Sequence, residues 1–352
     1  MSLLHKLKTN SRVKDAAVLS ESQYFGKIEL TSTPVPMINV ALSGSLDGGL
    51  ASGLTVLAGN SKHFKTSYAL LCAGAYLKKH KDAVLIFYDS EFGSPQSYFT
   101  SFGVDVDRVL HVPIKDVEDL KMDLVHQLDE MDKKDKVIVI IDSIGNLASK
   151  KELEDALSGK SVGDMSRAKS IKSLFRMVTP YLTIKDVPLL AINHIYEEMG
   201  LFPKAIVSGG KGIYYSADNI WIIGRQQDKV GTEIQGYHFV INIEKSRFVR
   251  EKSKIPISVS FEGGIKKYSG LFDLAVEAGI IVKSGVQFAQ LRNFKTGELE
   301  EGKVRPKKVP DSFYDELILH EPFKEFITKK YTLGLREMIA DAQASDADDL
   351  ED

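Results

Sequence analysis

Eight consecutive residues, Gly59-Asn60-Ser61-Lys62-His63-Phe64-Lys65-Thr66, carry the densest chemical signal in this sequence. They fit the pattern G-x-x-x-x-G-K-[ST] except at Phe64, where the pattern has glycine. A turn from strand to helix aims successive backbone N–H groups and a helix N-terminus at one point, which suits a polyphosphate. Lys65 supplies a cation for the terminal phosphates. The Thr66 hydroxyl supplies a Mg²⁺ ligand, and Ser67 continues the polar edge. Phe64 stands against this reading, since a bulky residue at positive φ costs about 1–2 kcal/mol. Two more chemical segments follow apolar runs. Ala83–Tyr88 leads into Asp89-Ser90-Glu91, and Val137–Ile141 leads into Asp142-Ser143. A carboxylate at the C-terminal end of a strand can hold a metal or activate a water. Asp142 is the candidate for the metal and Glu91 for the general base, and the strands that carry Lys65, Asp142 and Glu91 are expected to be neighbours.

These residues need a scaffold, and the hydropathy pattern supplies one. Unbroken apolar runs at Leu54–Ala58, Ala83–Tyr88, Val137–Ile141 and Val187–Ile192 read as buried strands. Helical periodicity separates them at Thr66–Lys79, Asp116–Met131 and Ser166–Leu182. This alternation predicts an α/β fold with a mainly parallel sheet covered on both faces. After Ala217, strands at Asn219–Gly224, Tyr237–Glu244 and Ile257–Phe261 have short connections, so the sheet is expected to finish antiparallel. A helix near Gly270–Ala278 closes the core. Residues 3–25 read as an amphipathic helical arm, and Thr33–Pro36 as an extended linker. The expected organisation is an arm at 1–29, a core at 30–285, a small C-terminal extension at 286–340 and a tail at 341–352. Phe313, Leu317, Phe323 and Phe326 predict a small core within the extension.

Composition excludes several classes. The chain has 352 residues, 43% hydrophobic and 27% charged, as in ordinary globular proteins. No apolar run reaches the ~18 residues of a membrane span, so no membrane partner is expected. The N-terminus lacks a secretory pattern, and the single cysteine, Cys72, excludes an internal disulfide; both fit a cytoplasmic protein. The formal charge of −2 does not advertise a nucleic-acid binder, but its distribution differs from its total. Residues 341–352 hold six acids and no Lys or Arg, and are expected to be disordered. The rest of the chain is therefore net basic. Residues 281–310 hold seven basic residues against three acidic ones. Lys169, Lys172 and Arg176 fall on one helix face, opposite Ile171, Leu174, Phe175 and Val178. Such a stripe can follow a phosphate backbone, or it can be a solvated face.

The order Gly59–Thr66, Asp89-Ser90-Glu91, Val137–Ser143, Asn193-His194 and Gly209-Gly210 resembles the RecA family of strand-exchange recombinases. The segments Phe87–Gly93, Ile141–Glu152, Ser173–Tyr181 and Ala191–Glu197 resemble its T4-type bacteriophage branch, in which Phe64 is shared. The likeness spans roughly residues 30–285. It implies a RecA-like ATPase core using ATP and Mg²⁺. It also implies a head-to-tail helical filament of this chain on single-stranded DNA, pairing with homologous duplex DNA, inside an infected bacterial cell. A single-strand-binding protein and a loading mediator are implied as partners. By position, Gly59–Ser67 bind the nucleotide and Tyr98 stacks on its base. Thr66 and Asp142 match the metal ligands, and Glu91 and Lys65 the catalytic pair. His194 matches a γ-phosphate sensor that is glutamine in bacterial relatives. Lys245 and Arg247 match cations that reach a neighbour's nucleotide. Lys169, Lys172, Arg176, Phe202, Gly209 and Gly210 match DNA-facing positions, with mobile DNA-binding loops at about 150–163 and 195–210. A ring helicase on the same core, or an ATP-binding mediator with little turnover, are the competing expectations.

Overall fold

The computed structural model describes residues 2–13, 15–22, 28–159, 166–198, 205–230 and 233–333. Helix α1 (Leu3–Asn10) buries none of its residues and exposes Leu3, Leu4 and Leu7. It is shorter than the helical arm expected over 3–25. A single 3-10 turn at Leu19–Glu21 follows, tied back by a Lys8–Glu21 ion pair of 2.9 Å. The expected linker is also different. Pro36 opens helix α2 (Pro36–Ser43), which is almost wholly buried. Proline at the first helical position is preset for helical φ and loses no hydrogen bond there. The buried Asn39 Oδ1 accepts from Thr33 N at 2.7 Å and fixes the entry, and Gly44 at φ 77° ends the helix.

The main sheet then builds up in chain order. It comprises β1 (Gly53–Ala58), helix α3 (Lys65–Lys79), β2 (Val84–Asp89), the short α4 (Gln96–Ser101), β3 (Val109–Pro113), α5 (Val117–Glu130) and β4 (Val137–Asp142). Helices α6 (Lys150–Leu157) and α7 (Ser166–Ile184) precede β5 (Pro188–Asn193). A two-stranded ribbon, β6 (Ile195–Glu197) with β7 (Ala205–Val207), leads to α8 (Lys211–Ser216). The chain returns to the sheet through β8 (Asn219–Val230), β9 (Glu233–Ser246), β10 (Lys254–Ser260) and β11 (Gly264–Ile265). The strand order is β11-β10-β9-β8-β1-β5-β4-β2-β3. From β8 to β3 every pairing is parallel; β9, β10 and β11 add antiparallel pairs. The sheet is therefore mainly parallel and finishes antiparallel, as expected, although the first of the three late strands, β8, still runs parallel to β1. β3 gave no clear signal in the sequence because it is an edge strand with no fully buried residue.

Side chains of the central strands are buried on both faces, which explains why they read as continuous apolar runs. One face packs under α5 and α7, where Leu120, Leu124, Leu174, Phe175 and Val178 meet Val139, Ile141 and Leu189. The other packs under α2 and α3. The C-terminal part contains α9 (Leu271–Glu277), a ribbon of β12 (Ile281–Ser284), β13 (Phe288–Arg292) and β14 (Leu299–Val304), then α10 (Asp311–Leu317) and α11 (Glu321–Tyr331). Its apolar residues do not form a core of their own. Phe313, Leu317, Phe323 and Ile327 belong to one buried cluster with Phe239, Ile255 and Ile257 of the main sheet, and Phe326 packs against it. The β12–β13 pairing also crosses the expected 285/286 boundary. The acidic tail at 341–352 lies outside the described residues.

Candidate nucleotide site and nucleic-acid interface

Four adjacent parallel strands, β1, β5, β4 and β2 in sheet order, end at one edge and deliver the predicted groups there. β1 delivers the loop 59–66. β5 stands between β1 and β4, so Lys65 and Asp142 do not come from neighbouring strands as expected; only β4 and β2 are direct neighbours. Within the loop, Lys62 and Phe64 adopt left-handed φ of 62° and 59°. Phe64 is therefore in the strained conformation that the sequence made a concern. Its ring packs 5.0 Å from that of Phe239 on β9, which offsets the strain with apolar contact. Gly59 has a tight fit, because a Cβ there would meet the Ile223 carbonyl at 3.0 Å. That same carbonyl accepts from His63 Nδ1 at 2.6 Å. Burial lowers the His63 pKa, with the Ile223 bond opposing, so the ring is a neutral brace. Arg225 Nη1 donates to the Lys62 carbonyl at 3.2 Å. Asn60 and Ser61 lie on the exposed outer turn.

Lys65 Nζ folds back to donate to the Gly59 and Asn60 carbonyls at 3.1 and 2.8 Å. Burial lowers its pKa, opposed by Glu91 and Asp142. Thr66 Oγ1 donates to Asp142 Oδ2 at 2.8 Å. The other oxygen, Asp142 Oδ1, is buried and has no hydrogen-bond partner among the described residues. Burial pushes the Asp142 pKa up to about 6, against the Thr66 bond. A buried, unpartnered carboxylate oxygen beside a threonine hydroxyl fits a hard divalent cation. Mg²⁺ needs only one or two carboxylates when phosphates and waters complete its shell. On α3, the Ser67 hydroxyl contacts the Tyr98 hydroxyl of α4, placing Tyr98 on the flank of the loop.

Glu91 is presented by a turn that the sequence reading missed. The buried Asp89 accepts from Glu91 N and Phe92 N at 2.9 and 2.8 Å through Oδ1, while Oδ2 meets His111 Nε2 at 3.2 Å. Ser90 clasps β4 by donating to the Ser143 carbonyl at 2.9 Å and accepting from Ser143 N at 3.0 Å. Glu91 Oε1 then accepts from Ser143 Oγ at 2.7 Å and Asn146 Nδ2 at 3.1 Å, with His194 Nε2 at 3.5 Å. The His194 bond is the largest influence holding the Glu91 pKa below the usual carboxylate range; burial opposes it and Ser143 assists. Asn193 sets the histidine by accepting from His194 N at 2.8 Å and donating to the Ser208 carbonyl at 2.7 Å. Gly145 makes room for the imidazole, since a Cβ there would sit 2.2 Å from His194 Cδ2.

Lys245 and Arg247 are not brought to this site. Lys245 lies in the last residues of β9 and Arg247 just past its end, where Arg247 pairs with Asp218 at 2.6 Å and Lys245 Nζ donates to the Tyr214 carbonyl at 2.7 Å. Asp218 also accepts from Leu54 N, at the start of β1. The phosphate loop leaves the other end of β1, so these cations occupy the opposite edge of the sheet. On α7, Lys169, Lys172 and Arg176 are exposed, and the apolar stripe is buried as expected. Gly209 and Gly210, at φ 94° and 76°, lead into α8, which packs so closely that a Cβ on Gly212 would meet Lys172 Cβ at 2.6 Å. The expected loop at 150–163 begins as helix α6. Its end and Phe202 lie outside the described residues.

The fold and the loop define a phosphate-loop α/β protein. Residues 9–266 match the RecA N-terminal domain. The chain is 48% identical over 337 residues to the "Recombination and repair protein" of Enterobacteria phage T4, covering 94% of this chain and 86% of that protein. It is 24% identical over 345 residues to "Protein RecA" of Chloroherpeton thalassium, covering 94% and 93%. It is 28% identical over 293 residues to "Protein RecA" of Paenarthrobacter aurescens, covering 78% and 81%. The chain belongs to the RecA family of recombinases. No helix among the described residues is long and apolar enough to cross a membrane.

Proposed function

We propose that this recombinase is a DNA-dependent, Mg²⁺-requiring ATPase whose protomers assemble head to tail on single-stranded DNA and pair it with homologous duplex. The observation that carries the reading is the convergence of Ser143, Asn146 and His194 on Glu91 beside the Thr66–Asp142 pair. Thr66 and Asp142 would hold Mg²⁺, which when bound neutralises charge on the triphosphate. The backbone of 59–67 receives the phosphates, and Lys65 exchanges its loop carbonyls for phosphate oxygens. Tyr98 flanks the base. Glu91, ionised at neutral pH, orients water and accepts its proton; its three donors trade basicity for a fixed direction. His194 lies between this carboxylate and the segment 195–210, so a change at the phosphate end reaches the DNA-facing loop through Asn193 and Ser208.

The exposed cations of α7 face the strand, and the apolar face of α1 meets the next protomer. The organism of the phage relative supports the cytoplasm of an infected cell as the setting; a single-strand-binding protein and a loading mediator are the accessory partners proposed. The test is ATP hydrolysis with and without single-stranded DNA, together with electron microscopy of the complexes. Stimulation by DNA and open helical filaments are expected. Glu91→Gln should bind ATP and lower kcat by ~10²–10⁴-fold. Closed rings, or hydrolysis indifferent to DNA, would overturn the reading in favour of a ring helicase or a mediator.

A further inference from the structure

The first turn of α7 carries an arginine that faces the catalytic edge. Arg167 lies one turn before Ile171, on the core-facing stripe, whereas Lys169, Lys172 and Arg176 point to solvent. Its guanidinium donates from Nε to the Leu147 carbonyl at 2.6 Å. Nη2 donates to the Ile144 and Gly145 carbonyls at 2.9 Å each. Three bonds from a charged, planar donor to one turn fix both position and orientation more tightly than single neutral bonds do.

That turn, Ile144–Asn146 with its flanking residues, holds every β4-side contact of the general base. Ser143 and Asn146 donate to Glu91, and Gly145 is the floor against which His194 rests. Ser90 holds the turn at Ser143, and the buried Ile144 and Leu147 anchor it in the core, but neither anchor reaches the carbonyls of Ile144, Gly145 and Leu147 that Arg167 takes. The turn's own backbone closes with one weak bond, Leu147 N to the Ile144 carbonyl at 3.3 Å. Arg167 is thus a direct bonded link between the helix bearing the exposed cations and the turn that aims Glu91.

We propose that Arg167 is a positioning residue for ATP hydrolysis: it transmits the placement of α7 to Glu91 through the 144–147 turn, and so makes turnover depend on what α7 binds. This rests on the DNA-dependent ATPase reading above. Arg167 touches neither the phosphate loop nor Glu91 itself. Its loss should therefore spare nucleotide binding and strike turnover, because a small misplacement of a base costs up to ~10²-fold in rate.

The experiment compares wild type, Arg167→Gln and Arg167→Lys as full-length chains. Read-outs are ATP affinity, oligo-dT affinity against salt, and kcat with and without oligo-dT. Arg167→Gln should keep ATP affinity within ~2-fold and leave the salt slope of oligo-dT binding unchanged. Its kcat with DNA should fall ~10–100-fold, bringing the ratio of stimulated to basal rate toward one. Arg167→Lys, which keeps the charge and can reach one carbonyl, should recover part of that ratio; if the Gln variant does not fold, the Lys variant decides through the same split between ATP affinity and kcat. An unchanged stimulation ratio in a folded variant would overturn the proposal. So would a loss of oligo-dT affinity with a shallower slope, which would make Arg167 a phosphate ligand instead. If wild-type hydrolysis is itself indifferent to DNA, the ATPase reading fails and this inference falls with it; if wild type is stimulated and both variants equally so, only the inference fails.

Discussion

Phe64 shows how a residue that breaks a motif can belong to it. The pattern demands a left-handed backbone, and the structure has it, at φ 59°. Relief of strain in Phe64→Gly would return about 1–2 kcal/mol. Against that stand the glycine's extra unfolded-state entropy, about 0.5–1 kcal/mol, and the contact with Phe239. A half-buried phenyl is worth roughly half of the ~1.5–3 kcal/mol of full burial, plus ~0.5–1.5 kcal/mol for the ring pair. Packing wins by a small margin. Phe64→Gly should lower unfolding free energy by about 1 kcal/mol in urea while retaining ATP binding; a stabilised variant would show that strain dominates. Lys65 and Thr66 were legible from the near-match of 59–66 to a phosphate-loop pattern, and Glu91 and Asp142 because each stands at the end of an unbroken apolar run. Asp89, Asn146, Gly145 and Arg167 were not. Their partners are backbone groups or a ring brought close only by folding, and a backbone carbonyl leaves no mark in a sequence. Asp89 had a faint signal: an aspartate two residues before Glu91 is placed to cap the turn that presents it.

At the scale of elements, the parallel strands announced themselves by unbroken apolar runs, and the errors lie where burial is partial or local chemistry intervenes. β3 is a half-exposed edge, and α2 was hidden behind two prolines that usually signal extension. Two elements also carry predictions. The exposed face of α7 is proposed to track phosphates, and each cation that does so contributes about 0.7 to the salt slope for a single strand. The double variant Lys172→Ala with Arg176→Ala should therefore weaken oligo-dT binding and flatten its log–log salt plot by about 1.4. An unchanged slope would return the stripe to solvent. Before α2, Glu29 ties the segment leading in from the arm to the core, bonding Lys79 at the end of α3 at 2.7 Å and Lys136 before β4 at 3.2 Å. The Lys79 bond is the largest influence lowering its pKa to about 2; burial opposes, and Lys136 assists. The folded value lies below the ~4.3 of an unfolded chain, so this stabilisation is present above about pH 4.3 and is lost as pH falls toward 2. Because Glu29 is 43% exposed, screening keeps the effect small. Over that window wild type should lose more stability than Glu29→Gln, and ~1 M salt should shrink the difference. Parallel acid titrations of the two would reject the link.

The whole molecule has one asymmetry that a single chain does not resolve. Its candidate phosphate loop, 59–66, leaves the C-terminal end of β1, while Lys245 and Arg247 stand near that strand's beginning, anchored to the Tyr214 carbonyl and Asp218. Neither cation can serve the nucleotide of its own chain without crossing the sheet. Arg247 is nevertheless 67% exposed, and Lys245 is only half-buried, its pKa lowered by burial with Asp218 opposing. A surface bearing cations at one edge and a phosphate site at the other closes on itself only when copies stack in a repeating, heterologous contact. On the proposed reading, each site is then built from two chains, with Glu91 from one and Lys245 with Arg247 from the next. Two variants that are each inactive separate this from a same-chain role: Glu91→Gln, and the double variant Lys245→Ala with Arg247→Ala. In an equal, random mixture on oligo-dT, about a quarter of the contacts would join an intact Glu91 to intact neighbouring cations, so about a quarter of the wild-type rate should return. The recovery should vanish on dilution below the assembly threshold. If the cations act within their own chain, each inactive protomer stays inactive beside any neighbour, and the mixture recovers nothing.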